Sequence, residues 1–166
     1  MKPKFSKLEI VVYAVIFVVA FYGYSSYDSD MEKQLDGDWV GSVTETVESD
    51  GVQYQTSMCD STSYDADSYR FRGRLIYYTD GVETVSVRYC GQWALSDDEL
   101  KQEYDLDSLV ITYADGLWDE PSKEAYSKDL IESLKNSPAM KISDLTDESH
   151  TVTSSDGRTA TYRRLN

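Results

Sequence analysis

The chain is poor in the residues from which common catalytic sites are built. It has one histidine, His150, among 166 residues, and two cysteines, Cys59 and Cys90. It contains no Gly-x-Ser-x-Gly elbow, no His-Glu-x-x-His zinc motif and no Walker phosphate loop. His150 follows Glu148 and Ser149 just before a predicted strand, which is typical of a solvated turn residue. These absences leave most hydrolase designs without support, and we expect the protein not to be an enzyme.

Basic residues are also scarce, since 16 Lys and Arg stand against 30 Asp and Glu and give a formal net charge of −14. Proteins bind phosphate backbones through Lys and Arg, so we expect no direct contact with nucleic acid. We expect no bound metal either, because Lys33 replaces the glycine that a calcium loop starting at Asp28 would need. One acidic cluster is interpreted as a solvated face, with a cation or a basic partner as the alternative: Asp97, Asp98, Glu99, Glu103, Asp105 and Asp107.

One long apolar run stands near the start of the chain. Lysines occupy positions 2, 4 and 7, and residues 10–24 carry no charge. A run of this length lies between a signal-peptide core and the roughly 20 residues that span a bilayer, so it fits a cleaved signal or a retained anchor. No cleavage site of the Ala-x-Ala kind follows Val19, and tyrosines cluster at the end of the run as in an interfacial belt. We therefore predict a transmembrane anchor over residues 8–24.

The charge on either side of this run predicts how the chain is placed. The three lysines put residues 1–7 in the cytoplasm as a short tail. A polar juxtamembrane linker, residues 25–35, then leads to one exported domain, residues 36–166, which in a Gram-negative bacterium lies in the periplasm. Because disulfides persist in exported proteins, Cys59 and Cys90 are predicted to form one, worth about 3 kcal/mol. Two free buried thiols are the alternative.

Turn and strand signals fill the exported region. The dipeptide Asp-Gly, which suits two-residue hairpin turns, occurs five times. Residues 69–95 alternate in character around one such turn and predict a long antiparallel hairpin, with aromatic side chains inward and arginines toward water. Further strands are predicted at residues 39–47, 52–58, 109–113, 140–145, 150–154 and 158–164, and residues 99–106 are ambiguous.

One segment has helical rather than strand periodicity. Between Pro121 and Asn136, the residues Tyr126, Leu130 and Leu134 recur every fourth position, as on one face of a helix. About eight hairpin-linked strands with one α-helix favour a mainly β fold, either a small antiparallel barrel or a strongly curved sheet, because closure removes exposed strand edges. The helix is expected to plug one mouth of the barrel or to pack outside it.

The inward positions of the predicted strands are rich in aromatic residues. A barrel of about eight strands either fills its interior with side chains or holds one apolar ligand. Tyrosine and tryptophan carry a polar tip that an amphipathic ligand can contact, which favours a ligand site slightly. The predicted ligand-binding residues in the barrel interior are Trp39, Tyr69, Phe71, Leu75, Tyr77, Val85, Val87, Tyr89 and Trp93.

Several motifs occur in an order known from one group of bacterial proteins. After the short anchor comes Leu35-Asp36-Gly37-Asp38-Trp39, then Gly91-Gln92-Trp93-Ala94-Leu95-Ser96-Asp97, then Lys128-Asp129-Leu130 before the final strands. The chain resembles the ToxS, VtrC and FidL-like group, which are membrane-bound companions of ToxR-like transcription regulators. Its two cysteines depart from ToxS itself and make a relative nearer VtrC the better match.

The resemblance implies more than the residue patterns do. It implies a lipocalin-like barrel at the inner membrane that the periplasmic domain of a ToxR-like regulator completes or stabilises. In the VtrC branch it also implies a cavity for a bile salt or another amphipathic signal. The alternatives are a standalone lipocalin-like carrier or envelope chaperone for a lipid or peptide, and an envelope enzyme that uses carboxylates.

Overall fold

Nine β-strands and one main α-helix follow one another in the described residues, 30–49 and 52–165, of the computed structural model. A short helix, α1, occupies residues 30–35 ahead of the first strand. The elements after it are β1 (Gly37–Ser49), β2 (Val52–Asp65), β3 (Arg70–Thr79), β4 (Val82–Ser96), β5 (Glu99–Tyr104), a 3-10 turn (Leu106–Ser108), β6 (Val110–Tyr113), α2 (Glu120–Lys135), β7 (Met140–Ser143), β8 (Ser149–Thr153) and β9 (Thr159–Arg164).

Eight of the strands close into an antiparallel barrel. Around the barrel the order is β1-β2-β3-β4-β5-β7-β8-β9, and β9 pairs with β1 to complete the ring. β6 stands outside this ring and pairs with β4 alone, beside the half of β4 that β5 does not reach. The mainly β antiparallel barrel of about eight strands that the turn and strand pattern predicts is confirmed, and β6 is an additional strand outside it.

The hairpin predicted over residues 69–95 is formed by β3 and β4. Its turn is Asp80-Gly81, where both residues have positive φ, 50° and 78°, as a tight two-residue connection requires. The ambiguous segment 99–106 contains a strand, β5, and the helix predicted at Pro121 begins one residue earlier. Asp119 caps α2, because its carboxylate accepts a hydrogen bond from the Ser122 amide at 2.8 Å.

One end of the barrel, here called the filled end, is packed solid with side chains. Trp39 and Leu100 are fully buried there, and the Trp39 indole donates a 2.6 Å hydrogen bond to the Leu35 carbonyl. The rings of Tyr64 and Trp93 meet edge to face, with centroids 5.5 Å apart. Burying large aromatic side chains contributes most of the stability of such a core. Its members are Leu35, Trp39, Tyr64, Phe71, Trp93, Leu95, Leu100 and Ile142, and Val152 extends the same cluster toward the other end of the barrel.

The last residues of the predicted linker, residues 25–35, contribute to this core. Leu35 is fully buried, and Met31 packs against the same cluster. Residues 30–35 therefore belong to the barrel domain, and the linker prediction is wrong for them. The polar composition that suggested a linker reflects the exposed face of α1.

The predicted disulfide is not formed, and Cys59 and Cys90 are free. Cys59 lies on β2 opposite Ile76 of β3, whereas Cys90 lies on β4 opposite Arg72 of β3. One whole strand separates the two cysteines, and adjacent strands are about 4.8 Å apart. With the added offset along β3, the Cα atoms are too far apart for a disulfide, which needs less than about 7 Å. The prediction of a disulfide is wrong because the two cysteines lie on strands that are not neighbours in the sheet.

The predicted cytoplasmic tail, residues 1–7, and the predicted anchor, residues 8–24, lie outside the described residues. Within residues 30–49 and 52–165, no helix combines the length and the apolar character needed to cross a membrane.

Candidate functional site

A cavity of about 490 Å³ opens at the end of the barrel opposite the filled end, here called the open end. Its size is within the 300–1,000 Å³ range of small-molecule sites. Apolar side chains from five strands form most of its wall, and two tyrosines, Tyr77 and Tyr162, add polar tips. The apolar members are Val43 on β1, Met58 on β2, Met140 on β7, and Val152 and Ala160 on β8 and β9.

The cavity lies where the barrel wall separates. β1 and β9 share three residue pairs, from Trp39–Arg164 to Gly41–Tyr162, although β1 continues to Ser49. Val43 of β1 and Thr159 and Ala160 of β9 then line the cavity instead of pairing with each other. Among the described residues, this leaves β1 beyond Gly41 with a partner, β2, on one side alone. We call this gap between β1 and β9 the seam.

Charged residues stand at the rim of the cavity. Arg158 and Glu45 both line its mouth. The Arg158 guanidinium lies 2.7 Å from the Asp156 carboxylate, and this pairing lowers the pKa of Asp156. An apolar wall with a charged, solvent-facing rim suits a molecule that has an apolar body and a polar end.

The main helix borders the same end of the barrel. Tyr126 of α2 meets the ring of Tyr77 edge to face, with centroids 6.3 Å apart, and also contacts Trp118 at 5.5 Å. The Tyr113 hydroxyl of β6 binds both the Lys123 carbonyl and the Ser127 hydroxyl. No residue of α2 is fully buried. The helix is thus attached to the open end through a small aromatic cluster that includes a residue of the cavity wall.

Beneath the cavity, the Asp60 carboxylate lies within hydrogen-bond distance of hydroxyl groups from three strands. Asp60 of β2 accepts a hydrogen bond from the Tyr162 hydroxyl of β9 at 2.8 Å, and another from the Tyr89 hydroxyl of β4. The Thr62 hydroxyl lies 3.2 Å from the same carboxylate and 2.7 Å from the Tyr89 oxygen. We call Asp60, Thr62, Tyr89 and Tyr162 the Asp60 network. It separates the cavity from the filled end.

Two glycines make this convergence sterically feasible. The register places Gly41 between Tyr162 and Asp60, and it places Gly73 between Tyr89 and Thr62. A Cβ atom at Gly41 would lie 2.9 Å from the Tyr162 ring, and one at Gly73 would lie 2.5 Å from the Tyr89 ring. Each tyrosine ring therefore crosses a neighbouring strand at a position that only glycine leaves open.

The surroundings of Asp60 shift the acidity of the whole network. Burial raises the pKa of Asp60, and the hydrogen bonds from Tyr89, Tyr162 and Thr62 act against this rise. Burial, with the nearby Asp60 charge, raises the pKa of both Tyr89 and Tyr162. Both tyrosines are consequently hydrogen-bond donors at neutral pH, which matches the geometry of an accepting carboxylate.

His150 is buried beside this network, so the prediction of a solvated turn residue is wrong. Its ring stacks on Tyr162 with centroids 5.1 Å apart and meets Trp39 edge to face at 4.4 Å. Among the described residues, its Nδ1 atom has no hydrogen-bond partner. Burial, with a smaller effect of Arg164, lowers the pKa of His150 to about 4. His150 therefore stays neutral at physiological pH and acts as an aromatic packing group.

The structure places most of the predicted ligand-binding residues away from the cavity. Of that set, Tyr77 alone lines the open-end cavity. Trp39, Phe71, Val85, Val87 and Trp93 are buried by packing, Leu75 is half-buried, and Tyr89 belongs to the Asp60 network. Tyr69 is not inside the barrel: it precedes β3 with φ of 52° and is 44% exposed.

The residues that do form the cavity were missed because sequence alternation does not show where a barrel is left empty. Val43, Met58 and Ala160 occupy ordinary inward positions, and only the separation of β1 from β9 exposes them. Asp60 was missed because it stands in the polar stretch Asp60-Ser61-Thr62-Ser63, which is typical of a loop. The tyrosines that bind it are 29 and 102 residues away in sequence.

The predicted acidic cluster is spread over the β4–β5 turn, β5 and the 3-10 turn that follows it. Asp98 pairs with Lys141 at 2.7 Å, and Glu103 pairs with Lys101 at 2.8 Å, all four side chains being substantially exposed. The described residues contain no group of three or more acidic, His or Cys side chains arranged to hold a metal ion.

Comparison with known proteins adds little to this geometry. No family model matches the chain, and no curated protein matches it. A solved structure described as the NMR structure of the protein from Burkholderia xenovorans is 15% identical, with a TM-score of 0.38. The match covers 82% of this chain and 88% of that one. At that score the likeness supports no conclusion about fold or function.

Replacing Tyr162 by Phe removes one donor to Asp60 and keeps the ring that stacks on His150. A hydrogen bond to a charged group contributes about 1.5–3 kcal/mol, so we expect the free energy of unfolding at pH 7 to fall by roughly that amount. Because this bond favours ionised Asp60, the loss should shrink as pH falls and the carboxyl becomes protonated. Chemical denaturation at pH 7 and pH 4 measures both effects. The control is Tyr78→Phe, because the Tyr78 side chain makes no hydrogen bond among the described residues. Its free energy of unfolding should change little, and a loss equal to that of Tyr162→Phe would contradict the hydrogen bond between Tyr162 and Asp60.

His150→Phe keeps a stacking ring that cannot be protonated. The pKa of His150 is lower in the folded protein, about 4, than its ordinary value of 6.5. The unfolded chain therefore binds the proton first, and the stability due to neutral His150 is lost as pH falls from about 6.5 to 4. We expect the wild type to lose up to about 3 kcal/mol relative to His150→Phe over this window. Equal pH dependence of the two proteins, measured by denaturation between pH 8 and pH 4, would show that His150 is accessible to protons.

Proposed function

We propose that this protein is a membrane-anchored, periplasmic accessory protein that binds the periplasmic domain of a ToxR-like transcription activator. In this proposal the pair senses an amphipathic signal, such as a bile salt, in the open-end cavity. The protein carries out no catalysis. The observation that carries the proposal is the seam, because it joins a ligand-sized cavity to an edge of β1 that has no partner among the described residues.

The seam suits a partner strand. Beyond Gly41, β1 presents the backbone groups of one edge without a partner among the described residues, while Thr159 and Ala160 of β9 line the other side of the gap. Unpaired edges readily accept a strand from another chain, and main-chain hydrogen bonds then supply affinity. A strand from the regulator inserted here would complete the wall of the cavity. Ligand binding and regulator binding would then be coupled through shared residues.

The cavity suits an amphipathic ligand. Val43, Met58, Met140 and Val152 provide apolar surface, and Arg158 stands at the rim where a charged end would meet water. A ligand that binds only the assembled pair stabilises it by RT ln(1 + [L]/Kd), which is about 2.7 kcal/mol at a hundredfold excess over Kd. A shift of that size is sufficient to control a marginally stable complex.

A second function, a standalone lipocalin-like carrier or envelope chaperone, is favoured by one observation. The cavity is formed by residues of this chain alone. Affinity purification from detergent-solubilised membranes separates the two proposals. The accessory-protein proposal predicts a ToxR-like regulator in stoichiometric amount, whereas a carrier would be recovered without one and with its lipid or peptide.

Filling the cavity tests the sensing role directly. In Ala160→Phe a large ring enters the cavity, while in the matched control Thr161→Phe the same ring is added to an exposed position of the same strand. A bile salt below its micellar concentration should raise the melting temperature of the co-purified pair for the wild type and for Thr161→Phe. It should not do so for Ala160→Phe, which should still co-purify with the regulator. An equal rise for all three would contradict a ligand site in this cavity.

A further inference from the structure

A second concave surface lies on the outer wall of the barrel, away from the open end. It is a shallow groove of about 290 Å³ across β1, β2, β3 and β4. The small side chains of Ser61 and Ser63 form its floor, because β2 lies between the longer side chains of its neighbours. Its walls are Asp38 and Leu165 on one side and Arg72, Arg74 and Arg88 on the other.

The strand register concentrates positive charge on that second wall. Arg74 of β3 stands directly opposite Arg88 of β4, and Arg72 lies two positions earlier on β3. Like charges directly opposite each other in an antiparallel pair are destabilising. All three side chains are exposed, and Ser61 and Ser63 are the cross-strand neighbours of Arg74 and Arg72.

This charge is poorly neutralised within the molecule. Arg74 makes one long ion pair, 3.4 Å to Glu83, and donates to the Ser86 hydroxyl. In the part of the chain that the structure describes, no carboxylate forms an ion pair with Arg72 or Arg88. The protein has 30 acidic residues against 16 basic ones, so a lack of carboxylates does not explain this. The chain keeps a repelling pair of arginines facing water.

We propose that this groove is a docking surface for an acidic polypeptide segment of a partner protein. Arginine guanidinium groups bind carboxylates in a bidentate manner, and the Ser63 hydroxyl beside them can donate a further hydrogen bond. Leu165, 53% exposed at the edge of the groove, provides apolar contact that a peptide can use and a free phosphate cannot. A second copy of this chain is disfavoured as the occupant, because two chains of net charge −14 repel each other.

The inference is independent of the proposed function, because the groove shares no residue with the open-end cavity. The test uses the full chain in detergent and a fluorescent deca-glutamate peptide, with deca-glutamine as the neutral probe, at low ionic strength. Wild type should bind the acidic peptide and not the neutral one. The variant Arg72→Gln/Arg88→Gln should bind at least tenfold more weakly. Lys128→Gln/Lys135→Gln, which changes the net charge equally on the exposed face of α2, should bind within twofold of wild type.

Stability of the free protein gives a second, independent measurement. Because Arg74 and Arg88 repel each other, Arg88→Gln alone should raise the melting temperature or leave it unchanged; a decrease would contradict the claim that the pair lacks compensation. Equal peptide binding by the wild type and the arginine variant would overturn the proposal. The proposal would also be overturned if inorganic phosphate, at the same concentration of negative charge as the peptide, displaced the peptide. Two further results would overturn it: binding of anionic vesicles in place of the peptide, or formation of a dimer in sedimentation equilibrium, where either one depends on the arginines.

Discussion

The carboxylate of Asp60 inside the barrel wall is the constraint on which the rest of the structure depends. A buried carboxylate is costly unless donors surround it, and here the donors come from β9, β4 and β2 itself. Tyr162 and Tyr89 reach it across Gly41 and Gly73, so the register of five strands must be correct at once. A shift of one residue in any of these pairings would turn a donor outward and leave the carboxylate without it.

This network also explains why the barrel has two different halves. On one side of it, aromatic rings fill the interior, and His150 is held neutral between Trp39 and Tyr162. On the other side, β1 separates from β9 immediately after the pair Gly41–Tyr162, and the cavity begins. Tyr162 belongs to both halves, since it lines the cavity and donates to Asp60. In the proposed function, a ligand or partner strand at the seam would therefore act on the residue that anchors the wall.

Local patterns in the sequence predicted most of the strands and the main helix. The cavity and the buried network depend on long-range strand pairing, which those patterns do not show. The alternation in residues 69–95 and the four-residue spacing of apolar side chains after Pro121 are each contained within a single segment of the chain. The β3–β4 hairpin and α2 were therefore predictable. The cavity, the free cysteines and the burial of His150 depend on which strands become neighbours and in what register. Cys59 and Cys90 face different positions of β3, and Asp60 meets Tyr162 from the far end of the chain. A polar stretch such as residues 60–63 carries no local signal that one carboxylate points into a barrel.

A carbon-13 NMR titration of the Asp60 carboxyl in the folded protein tests the central claim most directly. The account predicts a pKa above the ordinary value of 3.8, because burial outweighs the hydrogen bonds that favour the charged form. It also predicts that the Tyr89 and Tyr162 ring signals shift with the same midpoint. A carboxyl that titrates at or below 3.8, with tyrosine signals that do not follow it, would mean that Asp60 faces water and that the network does not hold the wall together.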